Sequence, residues 1–437
     1  MLGQDGITIR EFEYLTAART GRDDCKHVSP GQFAALREFV LSNREGEGQL
    51  ELMRLCAPPR IGEAIQATNY VGVIRLDDGL QIEVLPKIDM APESELSDRQ
   101  VFLDMLRDLG GDVPFSAIDA ARVDVSRMPL LEVFISMFIA GVGDLVRKGL
   151  SSAYLTVRSE ERFVRGKIDF AREAKSSPAH AERLNVVYDE FMLDRPENRL
   201  IKTTLVRLRR MSGSSENIRA ATRLLGAFDG VRVSGNVDAD LARCVSDRTT
   251  ASYDSLIPWC RVFLRGQSFT MFRGQSVATA LLFPMERVFE DYVGKMLRRL
   301  SVPRDLARVD LQVQTEWLFE GRKVRLRPDI LCTCADGRRV VLDTKWKRVS
   351  GIGDIATSDM YQMYAYGQRY AEVGERMQHV VLLYPWHKGV GMGLARKWRH
   401  VSRDGVQVDT FFVDTANINH SLKDLVFHIA NPSLLDG

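Results

Sequence analysis

The chain is 437 residues long, 45% hydrophobic and 27% charged, which suits a globular protein of two or three domains and excludes a disordered or fibrous one. Its formal net charge is only +2, so there is no global electrostatic case for nucleic acid, and any such surface is local. Six scattered cysteines exclude a disulfide framework, and a mixed polar start with no run of ~20 apolar residues leads us to expect a cytoplasmic protein without signal peptide or membrane span.

Residues 1–115 read as an α/β region. Ile7 to Glu13 alternates like a strand. Ser29-Pro30 opens a helix, with Ser29 as N-cap and Phe33, Leu36 and Val40 at core spacing. Tyr70 to Leu76 and Leu80 to Ile88 form a hairpin around Asp77-Asp78-Gly79, and Asp89 to Arg99 reads as an acidic loop.

Residues 116–280 read as mainly helical, after a helix over Val101 to Leu109 that stops at Gly110-Gly111. Leu130 to Arg147 is the most apolar stretch, but Glu132 and Asp144 interrupt it, so it is a buried helix. Tyr154 to Arg158 and Arg162 to Phe170 have strand character. The second carries basic residues around Gly166, which reads as a solvated turn or as a phosphate or partner contact. Asp194 to Asn198 leads into a basic amphipathic helix, Arg199 to Ser212.

Residues 281–437 fall into a clear order. A helix over Phe283 to Leu300 precedes an alternating strand over Val309 to Glu320. Lys323 to Thr333 and Arg339 to Trp346 are two strands joined at Ala335-Asp336-Gly337, a strong hairpin signal. A helix over Ser358 to Val373 and an apolar strand over His379 to Pro385 follow. Cys332 and Cys334 read as small buried residues, since no second Cys or His pair stands at zinc spacing.

The chemistry concentrates in the hairpin. Asp329 and Asp343 lie on adjacent antiparallel strands, and Lys345 shares a face with Asp343 because side chains alternate. A hard cation such as Mg2+ takes carboxylate oxygens, water and substrate phosphate. A neighbouring lysine can orient or help deprotonate the attacking water and can offset charge on the phosphoryl oxygens. Asp-x-Lys alone is usually a solvated surface pair. An acidic pair at the end of the apolar run Val340-Val341-Leu342 is a poor core choice unless it is used.

Pro328-Asp329 followed by Asp343-Thr344-Lys345, in the order helix, three strands, helix, strand, resembles the PD-(D/E)xK nuclease superfamily. In that superfamily a carboxylate of the first helix often completes the metal site. Glu286 and Glu290 share one helix face, and Glu290 is favoured. Gln362 and Tyr366 have the Gln-x3-Tyr spacing of the helix that flanks the site in RecB-related members, where they would contact DNA or support Lys345.

Taken with Gly72-Val73-Ile74, Leu85-Pro86-Lys87-Ile88, Arg165-Gly166-Lys167 and Glu197-Asn198-Arg199, the chain resembles the McrC family, nuclease subunits of McrBC modification-dependent restriction systems. The resemblance implies an N-terminal α/β partner-binding region, a helical middle and a C-terminal nuclease core. It implies Mg2+ on Asp329, Asp343 and Glu290, and catalysis by Asp329, Asp343 and Lys345. It also implies a McrB-like AAA+ GTPase hexamer as partner and modified, methylcytosine-containing double-stranded DNA as substrate. No Gly-x4-Gly-Lys-Ser/Thr loop is present, so a nucleotide motor must be another chain. Two other readings stay open: an activator of a partner NTPase with a minor nuclease role, and a stand-alone RecB-like nuclease.

Overall fold

A computed structural model describes residues 6–42, 51–76, 78–88, 98–107, 128–174, 182–245, 250–265, 278–300, 305–314, 316–319, 321, 323–370, 378–390 and 396–431. Asp77, most of the loop expected over 89–99, the Gly110-Gly111 stop and the expected helix end at Val373 lie outside these residues. The chain forms two compact units. One combines residues 1–110, 123–127 and 269–437, and the other combines 111–122 and 128–268.

The first unit begins with β1 (Gly6–Arg10), β2 (Tyr14–Thr16), β3 (Cys25–His27) and helix α1 (Pro30–Ser42). Ser29 and Gln32 cap α1 reciprocally: the Gln32 N–H donates to Ser29 Oγ at 3.3 Å, and the Ser29 N–H to Gln32 Oε1 at 3.0 Å. β4 (Met53–Cys56), β5 (Ala64–Ala67), β6 (Tyr70–Leu76), β7 (Gln81–Leu85) and α2 (Asp98–Arg107) follow. β6 and β7 form the expected antiparallel hairpin. The middle unit holds α3 (Leu130–Lys148), β8 (Ala153–Glu161), β9 (Lys167–Ile168), α4 (Phe170–Glu173), β10 (Leu184–Met192), α5 (Pro196–Met211), α6 (Ser215–Leu225), α7 (Val237–Arg243) and α8 (Ile257–Arg265).

Two stretches of the middle unit differ from expectation. Arg162 to Phe170 is strand only over β9, because Gly166 turns the chain at φ +75 and Asp169 caps α4. A Cβ on Gly166 would lie 2.4 Å from the Val187 carbonyl oxygen, so glycine is required there. The helix expected from Arg199 begins earlier, at Pro196. Asn198 is fully buried; it donates to the Ser151 and Leu193 carbonyls and accepts from the Tyr253 hydroxyl. Arg199 and Arg232 both bind Asp194, which holds that carboxyl down at about 2 against the opposing effect of burial.

The chain then returns to the first unit. β11 (Ala278–Pro284) pairs with β6, completing a four-stranded sheet in the order β1-β7-β6-β11. β2 to β5 form a second sheet, ordered β3-β2-β5-β4. Next come α9 (Met285–Leu300), β12 (Leu306–Leu311), β13 (Ile330–Cys334), β14 (Arg339–Thr344), α10 (Thr357–Tyr370), β15 (Gln378–Pro385), β16 (Arg396–Val401), β17 (Val406–Val413) and α11 (Ile418–Ala430). Their six-stranded sheet is ordered β12-β13-β14-β15-β17-β16. β12 to β14 are antiparallel, whereas β14, β15 and β17 run parallel.

β14 is thus an inner strand, which explains the apolar run that opens it. The strand expected over 309–320 ends early. Gln312 takes φ +54 and donates its N–H to the Asp329 carbonyl at 2.8 Å, and beyond it, among the described residues, an isolated bridge pairs Trp317 with Arg325. Cys332 and Cys334 are buried free thiols in β13. Among the described residues no helix is long and apolar enough to cross a membrane.

Gly72 fixes the sheet that joins the two ends of the first unit. It sits at φ +143 in β6, and a Cβ there would lie 1.9 Å from the backbone oxygen of Leu281 in β11. Gly72→Ala is therefore expected to lower stability by about 2–4 kcal/mol. Chemical denaturation of the full chain measures this, and an unchanged midpoint would contradict it.

Candidate active site

The site is built where β13 begins and β14 ends. The β13–β14 register pairs Ile330 with Leu342, and one further step sets Asp329 opposite Asp343. Asp329 precedes β13 and is oriented by the other strand. Its Oδ2 accepts the Thr344 N–H at 2.8 Å and the Thr344 hydroxyl at 2.7 Å. Thr344, the middle residue of Asp-x-Lys, therefore has a task that the motif alone does not announce.

Asp343 is 1% exposed. Burial, and then the nearby Asp329, push its carboxyl up from the ordinary carboxylate range, against the pull of Lys345. Lys345 Nζ lies 2.5 Å from Asp343 Oδ2 and donates to Gln362 Oε1 at 3.0 Å. Burial alone would lower the lysine pKa, but the Asp343 carboxylate overcomes this and the net shift is upward. Lys345 is thus held as an ammonium. Gln362 in turn donates to the Tyr366 hydroxyl at 2.8 Å, and that hydroxyl donates to the Arg327 carbonyl at 2.9 Å. Both α10 residues singled out from sequence stand behind Lys345.

The two glutamates of α9 separate. Glu286 is exposed, and its charge is felt by Glu11 and Tyr70. Glu290 is half-buried, with Oε1 out of contact with solvent and without a hydrogen-bond partner. Burial first, then the fields of Asp329, Asp291 and Asp343, raise its carboxyl to about 8, with Arg327 opposing. Glu290 therefore faces the two aspartates, and Glu286 does not.

Three features escaped the sequence reading. Tyr384 of β15 is fully buried, its hydroxyl has no partner, and its pKa is raised by burial and by Asp359 and Asp343. Lys347 reaches Asp359 of α10 at 2.9 Å. Trp346 is anchored by Glu11, 335 positions earlier, whose Oε1 and Oε2 lie 2.9 and 3.1 Å from the indole nitrogen. Glu11 also accepts the Lys87 N–H, and burial raises its carboxyl to about 7. Trp346 packs at 5.3 Å against Phe289, the neighbour of Glu290, so one indole braces both sides of the site. No local pattern reveals a pairing so distant in sequence.

The donor set suits a hard divalent cation. Asp329, Asp343 and Glu290 supply only oxygens, and among the described residues Asp343 Oδ1 and Glu290 Oε1 are buried without a hydrogen bond. A tighter convergence of candidate ligands lies elsewhere, at His379, Asp409 and His428, within 4.8 Å of one another. That cluster does not fit a metal. Asp409 Oδ2 already meets both His Nε2 atoms, Gln407 and Arg399, and the guanidinium binds the other oxygen at 2.9 Å. Arginine there supplies the cation.

A family model described as "McrBC 5-methylcytosine restriction system component" matches residues 65–385. No curated protein matches the chain. A chain in a refined half-complex from the tetradecameric assembly of Thermococcus gammatolerans McrB AAA+ hexamers with bound McrC is similar at 18% identity and TM-score 0.65, over 96% of this chain and 100% of that one. A chain in the cryo-EM structure of the Thermococcus gammatolerans McrBC complex is similar at 20% identity and TM-score 0.48, over 68% of this chain and 88% of that one. The first likeness shows a shared mixed α/β multidomain fold.

The raised Glu290 carboxyl predicts a pH-dependent stability. Between the ordinary glutamate range and about pH 8 the folded chain holds a proton that the unfolded chain has released. Stability therefore falls as pH rises through that window. In EDTA, wild type should lose stability relative to Glu290→Gln between pH 5 and 9, and magnesium should narrow the gap. Urea midpoints across that range test this; a constant difference would refute it.

Proposed function

This chain belongs to the McrBC 5-methylcytosine restriction system component family, and on that premise we propose that it is the McrC-type subunit of such a system, a magnesium-dependent DNA endonuclease. The observation that carries the reading is Lys345, tied at once to Asp343 and Gln362 beside Asp329 and Glu290. The order α9, β12 to β14, α10, β15 supports reading the C-terminal region as a PD-(D/E)xK core.

Asp329, Asp343 and Glu290 would hold the ion. Bound magnesium supplies Lewis acidity and a lowered water pKa. Thr344 fixes the orientation of Asp329. Lys345, kept protonated by Asp343, serves as a hydrogen-bond donor and not as a base. It orients the attacking water through a lone pair and offsets charge on the non-bridging phosphate oxygens. Water oxygen bonds to phosphorus as the bond to the departing sugar oxygen breaks; the water gives up one proton to solvent, and the leaving oxygen takes one up from solvent. Gln362 and Tyr366 keep the ammonium in place.

Nucleotide hydrolysis falls to a separate chain, since this sequence lacks a Gly-x4-Gly-Lys-Ser/Thr loop. A McrB-like AAA+ GTPase ring is the proposed partner, stimulated by this chain and supplying recognition of methylcytosine. The similar structure, in which McrB hexamers carry bound McrC, supports that division.

Asp329→Ala, Asp343→Ala and Lys345→Ala should each reduce cleavage of methylated plasmid by a factor on the order of 100 or more. The assay contains magnesium, the ring partner and nucleotide. Partner hydrolysis should remain stimulated by each variant. Cleavage that survives all three substitutions would sink the assignment. Cutting by the chain alone would favour a self-sufficient nuclease, and stimulation without cutting by the wild type would favour an activator.

A further inference from the structure

Beyond the carboxyl-terminal ends of the parallel strands β14 and β15 lies a cavity of about 280 Å³. Ligands of α/β sheets gather at such strand ends. It is lined by Phe12, Trp346 and Pro385, by Lys87, Lys347 and Arg348, and by the single carboxyl of Glu11, which is engaged by the Trp346 indole and the Lys87 N–H. Trp346 follows Lys345 directly in the chain, so the cavity adjoins the strand end that carries the site.

Phe12 is the unusual member. It is 48% exposed and adopts φ +66, a left-handed conformation that costs an aromatic residue energy. The surroundings enforce it. The Phe12 N–H donates to the Ala67 carbonyl at 3.0 Å, and Gln66 Nε2 donates to the Phe12 carbonyl at 3.1 Å. The opposite wall is equally fixed, because Glu11 holds the Trp346 indole and the Lys87 N–H. An exposed ring held in place at the mouth of a cation-lined cavity is suited to a flat group attached to an anion. The volume lies near the lower end of small-ligand pockets (~300–1,000 Å³), which admits a single base with its sugar and no duplex.

We propose that this cavity binds one unpaired nucleotide of the substrate strand, its base against Phe12 and its phosphate among Lys87, Lys347 and Arg348. Stacking on an aromatic ring tolerates any base, so the subsite positions DNA without reading sequence. Lys347 is already shared with Asp359, which leaves its charge close to α10 while Lys87 approaches from the β6–β7 hairpin. The proposal rests on the endonuclease reading and adds a contact on the substrate strand apart from the carboxylates.

The test is fluorescence anisotropy of the full-length chain in EDTA, with labelled duplexes carrying a one-nucleotide bulge, either a normal base or an abasic sugar. Phe12→Ala should weaken binding to the bulged base roughly 5- to 100-fold, Phe12→Trp should restore it, and the abasic bulge should be indifferent to both. Lys87→Ala with Arg348→Ala should lower the salt dependence of binding by about one to two in log–log slope. Wild-type affinity in Phe12→Ala, with DNA still bound and cut, would overturn the subsite alone. The same unaltered binding accompanied by lost stimulation of the partner's hydrolysis would make the cavity a protein contact, which also overturns it. Failure of the wild type to bind any DNA, even with its partner, would overturn both the subsite and the endonuclease reading.

Discussion

A carboxylate buried at the end of a β-strand must be matched by a cation, and for Asp343 the match is two residues further along the same chain. Alternation along the strand delivers Lys345 to the same face, and the pair meets at 2.5 Å. Much of the surrounding construction maintains that one pairing. Gln362 and Tyr366 tether the lysine from α10, and Thr344 turns Asp329 towards the aspartate opposite it. The apolar residues of β14 place the whole group on an inner strand, where burial intensifies every charge. The cluster remains frustrated: Asp343 and Glu290 are both pushed towards their neutral forms. Perturbed carboxyls of this kind gather at functional sites more often than in ordinary cores.

Much of this was legible in the sequence because it depends on local rules. The Asp336-Gly337 turn, the apolar run before Asp343 and the period-2 spacing to Lys345 specify the hairpin without help from the rest of the chain. The i, i+4 spacing of Gln362 and Tyr366 placed them on one helix face, and the structure joins them to each other and to the lysine. Glu290 separates from Glu286 only in three dimensions, since both occupy the same face and differ in depth. The strand before the hairpin misled for a physical reason. Alternating Leu311, Val313, Trp317 and Phe319 mimic a ladder, but the left-handed turn at Gln312 spends its N–H on Asp329 and ends the strand. Long-range pairs such as Glu11–Trp346 and Arg399–Asp409 leave no periodic trace at all.

Two buried acids in the same unit show how environment decides role. Asp409 is fully buried, yet Arg399, Gln407 and two histidines saturate it, and its carboxyl is driven far down. Glu290 lies less deep, yet it has no donor on its buried oxygen and is driven up. Saturation makes the first a structural cross-link among β15, β16, β17 and α11. Want of a donor leaves the second raised and unsaturated beside Asp329 and Asp343. Burial alone distinguishes neither.

The pairing of β6 with β11 and the hold of Glu11 on Trp346 also order events in time. A ribosome releases Gly6 to Leu85 long before Ala278, and the whole middle unit must be made before the β1-β7-β6 sheet finds its fourth strand. Glu11 then waits until residue 346 emerges before its carboxylate meets the indole. The lysine of the candidate site is made one residue earlier than that indole. A chain cut short before residue 346 therefore lacks the brace beside that lysine. The brace beside the site thus closes late in synthesis, and the α10 residues that tether the lysine, Gln362 and Tyr366, are made later still.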